Sequence, residues 1–157
     1  MIPMREMKRK KLLIIHKDDS TRREMHNILS HFDFDLVYAD DALHGLYAAK
    51  SASPDLIISE VNVAILNGLE MCQMIRNDKE IRGIPMILLH NELDLEYIRK
   101  AKLIEVNAFL IKPYLDNSLI YAIKSALHED DLHINKNRRP LRYEDCKVPV
   151  LSKVQYA

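Results

Sequence analysis

Short apolar runs, each bounded by polar or turn residues, set the frame of the chain. Lys11–Ile15, Leu56–Ile58, Ile84–Leu89 and Ala108–Ile111 are continuous rather than alternating. Runs of this length read as strands buried on both faces, the signature of a parallel sheet. A fifth short run, Leu36–Val37–Tyr38, lies between the first two. The intervening stretches change period. Met25, Ile28 and Leu29 fall at helical spacing, as do Leu43, Leu46 and Tyr47; Leu69, Cys72 and Ile75; Leu95, Ile98 and Ala101; and Leu119, Ile120, Ile123 and Leu127. Polar caps precede them: Asp19 or Ser20, Asp40–Asp41, Asp94 and Asp116. Five strands alternating with five helices predict βαβ units and right-handed crossovers.

Chemistry in an open α/β sheet sits at the carboxyl ends of the strands. The residues leaving the runs are therefore the candidates. The first run exits into His16-Lys17-Asp18-Asp19-Ser20, the third strand ends on Glu60, the fourth on His90, and the fifth on Lys112–Pro113. His16, His90 and Glu60 make a conceivable two-histidine, one-carboxylate metal set. Lys17 would repel a metal there, and strand-end histidines are more often ordinary hydrogen-bonding residues, so no metal and no cofactor is expected.

Composition narrows the classes. The chain has 157 residues, enough for one domain with a full core. Hydrophobic residues make up 48%, as in a globular protein. Lys+Arg and Asp+Glu are 23 each, so bulk charge gives no argument for nucleic acid or an anionic membrane. Cys72 and Cys146 are the only cysteines and lie far apart, which argues against a disulfide framework or a structural zinc. A cytoplasmic location is expected, with no membrane span and no signal pattern.

The chain divides into a domain over residues 11–128 and a tail over 129–157. The tail is basic at first, with Lys136, Arg138, Arg139 and Arg142, and carries Pro140 and Pro149. It is too short for its own core. It either docks on the domain or begins a second, truncated one.

The strand-end residues, with Asn67–Gly68 and Lys112–Pro113–Tyr114, resemble the receiver domain of bacterial two-component response regulators over about residues 11 to 128. The resemblance implies a doubly wound, flavodoxin-like five-stranded parallel sheet of order 2-1-3-4-5. It also implies a phosphoacceptor aspartate, an acidic pair for Mg²⁺, a Thr or Ser, and a Lys. Carried onto this chain, the acceptor falls on Glu60, the acidic pair on His16 and Lys17, the Thr/Ser on His90, and the Lys on Lys112. The aromatic switch position falls on Phe109, expected to be turned inward. The expectation is a degenerate, non-phosphorylatable receiver that is no enzyme and works as a signalling module on protein partners, with the homodimer that the resemblance implies formed through the face of the fourth helix, fifth strand and fifth helix. Lys17 and Lys112 are expected to flank Glu60. Two alternatives stand beside this. In one, a slipped register lets Asp18 and Asp19 hold Mg²⁺ for a working receiver. In the other, Arg138 and Arg142 resemble the opening of a PilZ domain, which implies cyclic di-GMP as a ligand, although the second half of that signature is absent.

Overall fold

A computed structural model describes residues 9–62, 66–129, 132 and 142–146. The elements run β1 (Lys10–Ile15), α1 (Asp19–Leu29), β2 (Phe34–Ala39), α2 (Ala42–Ser51), β3 (Leu56–Glu60), α3 (Gly68–Asn77), β4 (Met86–His90), α4 (Leu95–Leu103), β5 (Ala108–Ile111) and α5 (Asp116–Leu127). A short 3₁₀ turn, Tyr143–Cys146, follows. The five strands form one parallel sheet of order β2-β1-β3-β4-β5. This is the doubly wound order that the receiver resemblance implied.

Strand alternation splits the core in two. Leu12, Ile14, Leu56, Ile58, Ile87 and Leu89 pack on one face against Met25 and Leu29 of α1 and Leu119 and Ile123 of α5. Leu13, Ile15, Ile57, Met86 and Leu88 pack on the other against α2, α3 and Ala101 of α4. Burial on both faces is why the strand sequences read as continuous apolar runs rather than alternating ones.

Several local expectations change. Asp18, not Asp19 or Ser20, caps α1, accepting from the Ser20 and Thr21 amides. Asp116 lies inside the first turn of α5, and Leu115 at the cap makes no side-chain bond. β2 is longer than the three-residue run, and β4 begins at Met86 because Pro85 has no amide to give the ladder. On α2 the buried residues are Ala42, Gly45, Ala48 and Ala49, while Tyr47 is exposed. The larger residues were expected inside. The small ones win because α2 lies close on the sheet: a Cβ at Gly45 would collide with the Ile15 side chain. Gly68 serves the same purpose at the start of α3. A Cβ there would lie 2.7 Å from the Glu60 carbonyl oxygen and 3.0 Å from Val61 Cα.

Candidate functional site

Parallel pairing brings the strand ends to one edge of the sheet. Ile15 pairs with Ser59, Glu60 with Leu89, and His90 with Ile111. His16, Glu60, His90 and Lys112 therefore stand side by side along that edge. The His16 amide donates to the Ala39 carbonyl, and the Lys112 amide to the His90 carbonyl. The Lys112–Pro113 peptide is cis.

Side-chain alternation then divides them. Glu60 shares parity with Leu56 and Ile58, His16 with Leu12 and Ile14, and Lys112 with Leu110, so these three belong to the face of α1 and α5. His90 shares parity with Met86 and Leu88 and belongs to the opposite face. There it lies edge-on to Tyr97 at 5.5 Å and to Phe109 at 6.1 Å between ring centroids. Phe109 is half-buried and packs on that core. The sequence placed Glu60, His16, Lys17, His90, Lys112 and Phe109 in one pocket; the structure makes a His16–Glu60–Lys112 corner and a separate His90–Phe109–Tyr97 aromatic contact. Among the described residues no three His, Cys, Asp or Glu side chains are grouped to hold a metal ion.

The corner is tightly enclosed on two of its members. His16 is 2% exposed and Glu60 3%, whereas Lys112 is half-exposed. His16 Nδ1 lies 3.4 Å from Glu60 Oε2, and its Nε2 lies 2.5 Å from Lys112 Nζ. Burial lowers the His16 pKa to about 4; the Lys112 cation adds to this, while Asp18 opposes it. The ring is thus neutral at pH 7 and carries one proton for two nitrogens. If Lys112 is an ammonium, Nε2 must accept and the proton is on Nδ1, facing Glu60. The Asp18 amide, 3.0 Å from Nδ1, asks that nitrogen to accept instead. That second arrangement requires Lys112 as a neutral amine receiving the Nε2 proton. Burial lowers the Lys112 pKa, with Glu60 acting against the shift, and this direction does not choose between the two arrangements. Both arrangements keep His16 uncharged.

Among the described residues, the buried atoms Glu60 Oε2 and His90 Nδ1 make no hydrogen bond, the 3.4 Å contact of Glu60 Oε2 with His16 Nδ1 being an approach without hydrogen-bond geometry. Neither lysine forms an ion pair with Glu60: Lys17 is exposed, and Lys112 bonds His16 instead and acts on Glu60 only through charge at a distance, so the expected two-lysine clamp is not formed. Mg²⁺ calls for oxygen donors in an octahedral set. The corner offers one carboxylate, one imidazole and one ammonium or amine, which do not fit it. Asp18 and Asp19 are committed elsewhere. Asp18 caps α1 and accepts from the Thr21 hydroxyl at 2.6 Å. Asp19 pairs with Arg22 and Arg23 and accepts from the Tyr143 hydroxyl at 2.6 Å. β1 ends at Ile15 with His16 next in line, so the slipped register is not the one adopted.

Sequence reading missed Arg22. It is buried, and its guanidinium reaches the His16 carbonyl, Asp40 at 2.6 Å, Asp19 at 3.2 Å and the Tyr143 hydroxyl at 2.7 Å. The available signal was its place on the apolar stripe of α1, three residues before Met25 and seven before Leu29. Of the two arginines that carried the PilZ resemblance, Arg138 lies outside the described residues. Arg142 is exposed, and its carbonyl accepts from the Asp145 amide and the Cys146 thiol.

The sequence pattern of the response regulator receiver domain matches residues 12–124. Chemotaxis protein CheY-3 of Vibrio cholerae serotype O1 is 29% identical over 108 residues, covering 68% of this chain and 83% of that protein. Protein PilG of Pseudomonas aeruginosa is 24% identical over 115 residues, covering 73% and 85%. Among solved structures, the signal receiver domain of an HD domain-containing protein from Pseudomonas fluorescens Pf-5 superposes with a TM-score of 0.71 at 27% identity, covering 76% of this chain and 95% of that one.

Proposed function

The chain belongs to the response regulator receiver family, and from that premise we propose that it is a receiver that signals without taking up a phosphoryl group. It acts as a protein-interaction module of a two-component pathway, by binding rather than turnover. The observation that carries this reading is the His16–Glu60–Lys112 corner. Charge that develops during phosphoryl transfer is met by a metal ion and by hydrogen-bond donors in place beforehand. Here the two positions that would hold the ion are an uncharged imidazole and an exposed lysine, and the acceptor position is a carboxylate with almost no open surface. The neighbouring carboxylates Asp18 and Asp19 are engaged by α1 and the tail.

The test is incubation with acetyl phosphate and Mg²⁺ followed by intact mass measurement. No phosphoryl mass is expected. An adduct mapped to Glu60, or one that appears only with Mg²⁺ and vanishes in Asp18→Asn, would replace this reading with the phosphorylatable alternative.

The partner is a signalling protein, and the reading carries a cytoplasmic location with it. Leu95 and Leu103 on α4, Leu115 before α5 and Tyr121 on α5 are exposed. They favour α4-β5-α5 as a contact face, between two copies or with another protein. Sedimentation at rising concentration separates these: self-association assigns the face to a second copy, and a strict monomer assigns it to a different partner.

A further inference from the structure

In the tail, the turn Tyr143–Cys146 is seated on the domain. Tyr143 is 5% exposed and Cys146 6%, although both belong to a four-residue turn in the tail. The Tyr143 ring packs between domain groups. It lies 5.7 Å from the His26 ring and 5.0 Å from the Tyr38 ring, with the Arg23 guanidinium 4.5 Å over its face. Its hydroxyl accepts from Arg22 Nε and donates to Asp19, which satisfies both capacities of a phenol. Glu144 pairs with Arg23 at 3.4 Å. The contact therefore combines burial, a cation over an aromatic ring and charge-assisted hydrogen bonds, a combination that a solvated linker does not have.

The same guanidinium that holds Tyr143 also holds the end of β1. Arg22 Nη1 donates to the backbone carbonyl of His16, and its remaining donors reach Asp40 after β2 and Asp19 on α1. A guanidinium is a rigid planar fork, so its donors cannot be re-aimed one at a time. His16 in turn faces Glu60 and Lys112.

We propose that Tyr143–Cys146 is a latch that clamps the chain leaving the receiver onto α1 and β2, and that Arg22 couples this latch to the Glu60 corner. Whatever displaces His16 then disturbs the grip on Tyr143. By linkage, release of Tyr143 changes the corner by the same coupling free energy. The route rests on the Arg22 contacts and is independent of whether Glu60 accepts a phosphoryl group.

The two cysteines provide the measurement. Cys146 is buried in the seated turn, and Cys72, on the buried face of α3, reports opening of the whole domain. In the 157-residue chain, alkylation is followed at each cysteine by peptide mass. Cys146 is expected to react well below the rate of the denatured chain. Tyr143→Phe keeps the ring and removes only the hydroxyl. It should speed Cys146 labelling by about tenfold or more, as expected for loss of hydrogen bonds to charged groups, and leave Cys72 unchanged. The coupling is read at the other end: the ring ¹⁵N signals of His16 should move in Tyr143→Phe. Arg22→Lys, which keeps the charge but loses the fork, should produce both effects. If that variant fails to fold, Tyr143→Phe alone still decides. Equal Cys146 rates in wild type and Tyr143→Phe would overturn the latch. Unmoved His16 signals in a variant that does release Cys146 would overturn the coupling.

Discussion

Burial of His16 makes a specific demand on how stability varies with pH. The ring is closed off from water, with Lys112 Nζ 2.5 Å away and the guanidinium of Arg22 on its own carbonyl. Its pKa falls from 6.5 to about 4, first because of burial, then because of Lys112. The unfolded chain therefore binds a proton at this position that the folded chain refuses, over the window from about pH 6.5 down to about pH 4. Stability rises with pH wherever the unfolded state holds more protons. The contribution is fully present above pH 6.5, shrinks as the pH falls, and is gone below pH 4. At roughly 1.4 kcal/mol per pH unit the whole window amounts to about 3 kcal/mol. Carboxylates also begin to titrate at the acid end, so the His16 part must be taken as a difference. His16→Gln retains a hydrogen-bonding side chain and has nothing to titrate. Urea unfolding of both proteins between about pH 7.5 and pH 4.5 should show wild type losing about 2–3 kcal/mol relative to the variant as the solution is acidified. Parallel stability curves would refute the assignment of a neutral, buried His16.

Three further outcomes concern Lys112, the seat of α3 and the exposed face of α5. Glu60 opposes the lowering of the Lys112 pKa, so Glu60→Gln should lower that pKa further. NMR titration of the lysine side-chain signals reads this, and an upward move would contradict the placement of Glu60 beside Lys112. Gly68→Ala forces a Cβ against the Glu60 carbonyl and Val61 Cα, which are backbone and cannot turn aside. It should cost about 1–3 kcal/mol in chemical denaturation despite the better helix propensity of Ala, and an unchanged midpoint would count against the close seating of α3. Tyr121→Glu alters an exposed side chain of α5. Its stability should stay within about 0.5 kcal/mol of wild type, while any self-association seen by sedimentation should weaken.

The strands were readable because burial on both faces leaves unbroken apolar runs, and their alternation with helices fixed the sheet order through the receiver resemblance. The face of α2 was not readable. Leu43, Leu46 and Tyr47 carry the larger apolar groups, but Gly45 and its alanine neighbours are what let that helix approach Ile15. The cap of α1 was misplaced by one residue because three consecutive polar side chains are all competent caps, and only the backbone angles select Asp18. His16, Glu60 and Lys112 were legible as a group, since each leaves the sheet at the same edge. The separation of His90 was countable from strand parity but was masked by its position at that edge. The Arg22–Tyr143 contact spans 121 residues of sequence. No local pattern in either segment points to the other, so only the folded chain reveals it.

The order of the strands has a mechanical consequence. β2 and β5 are the two outer strands, about 19 Å apart at ordinary inter-strand spacing. The tail turn sits at the β2 end, while the exposed Tyr121 and Leu115 flank the β5 end. The seated Tyr143–Cys146 turn and the exposed α5 side chains therefore lie at opposite ends of the sheet. Lys112 leaves β5, Glu60 leaves β3 and His16 leaves β1, so the three side chains form a crossbar over most of the sheet's width. The Lys112–His16 hydrogen bond thus joins the residue that leaves β5 to the one whose carbonyl Arg22 holds, so the two outer parts of the sheet share one side-chain span.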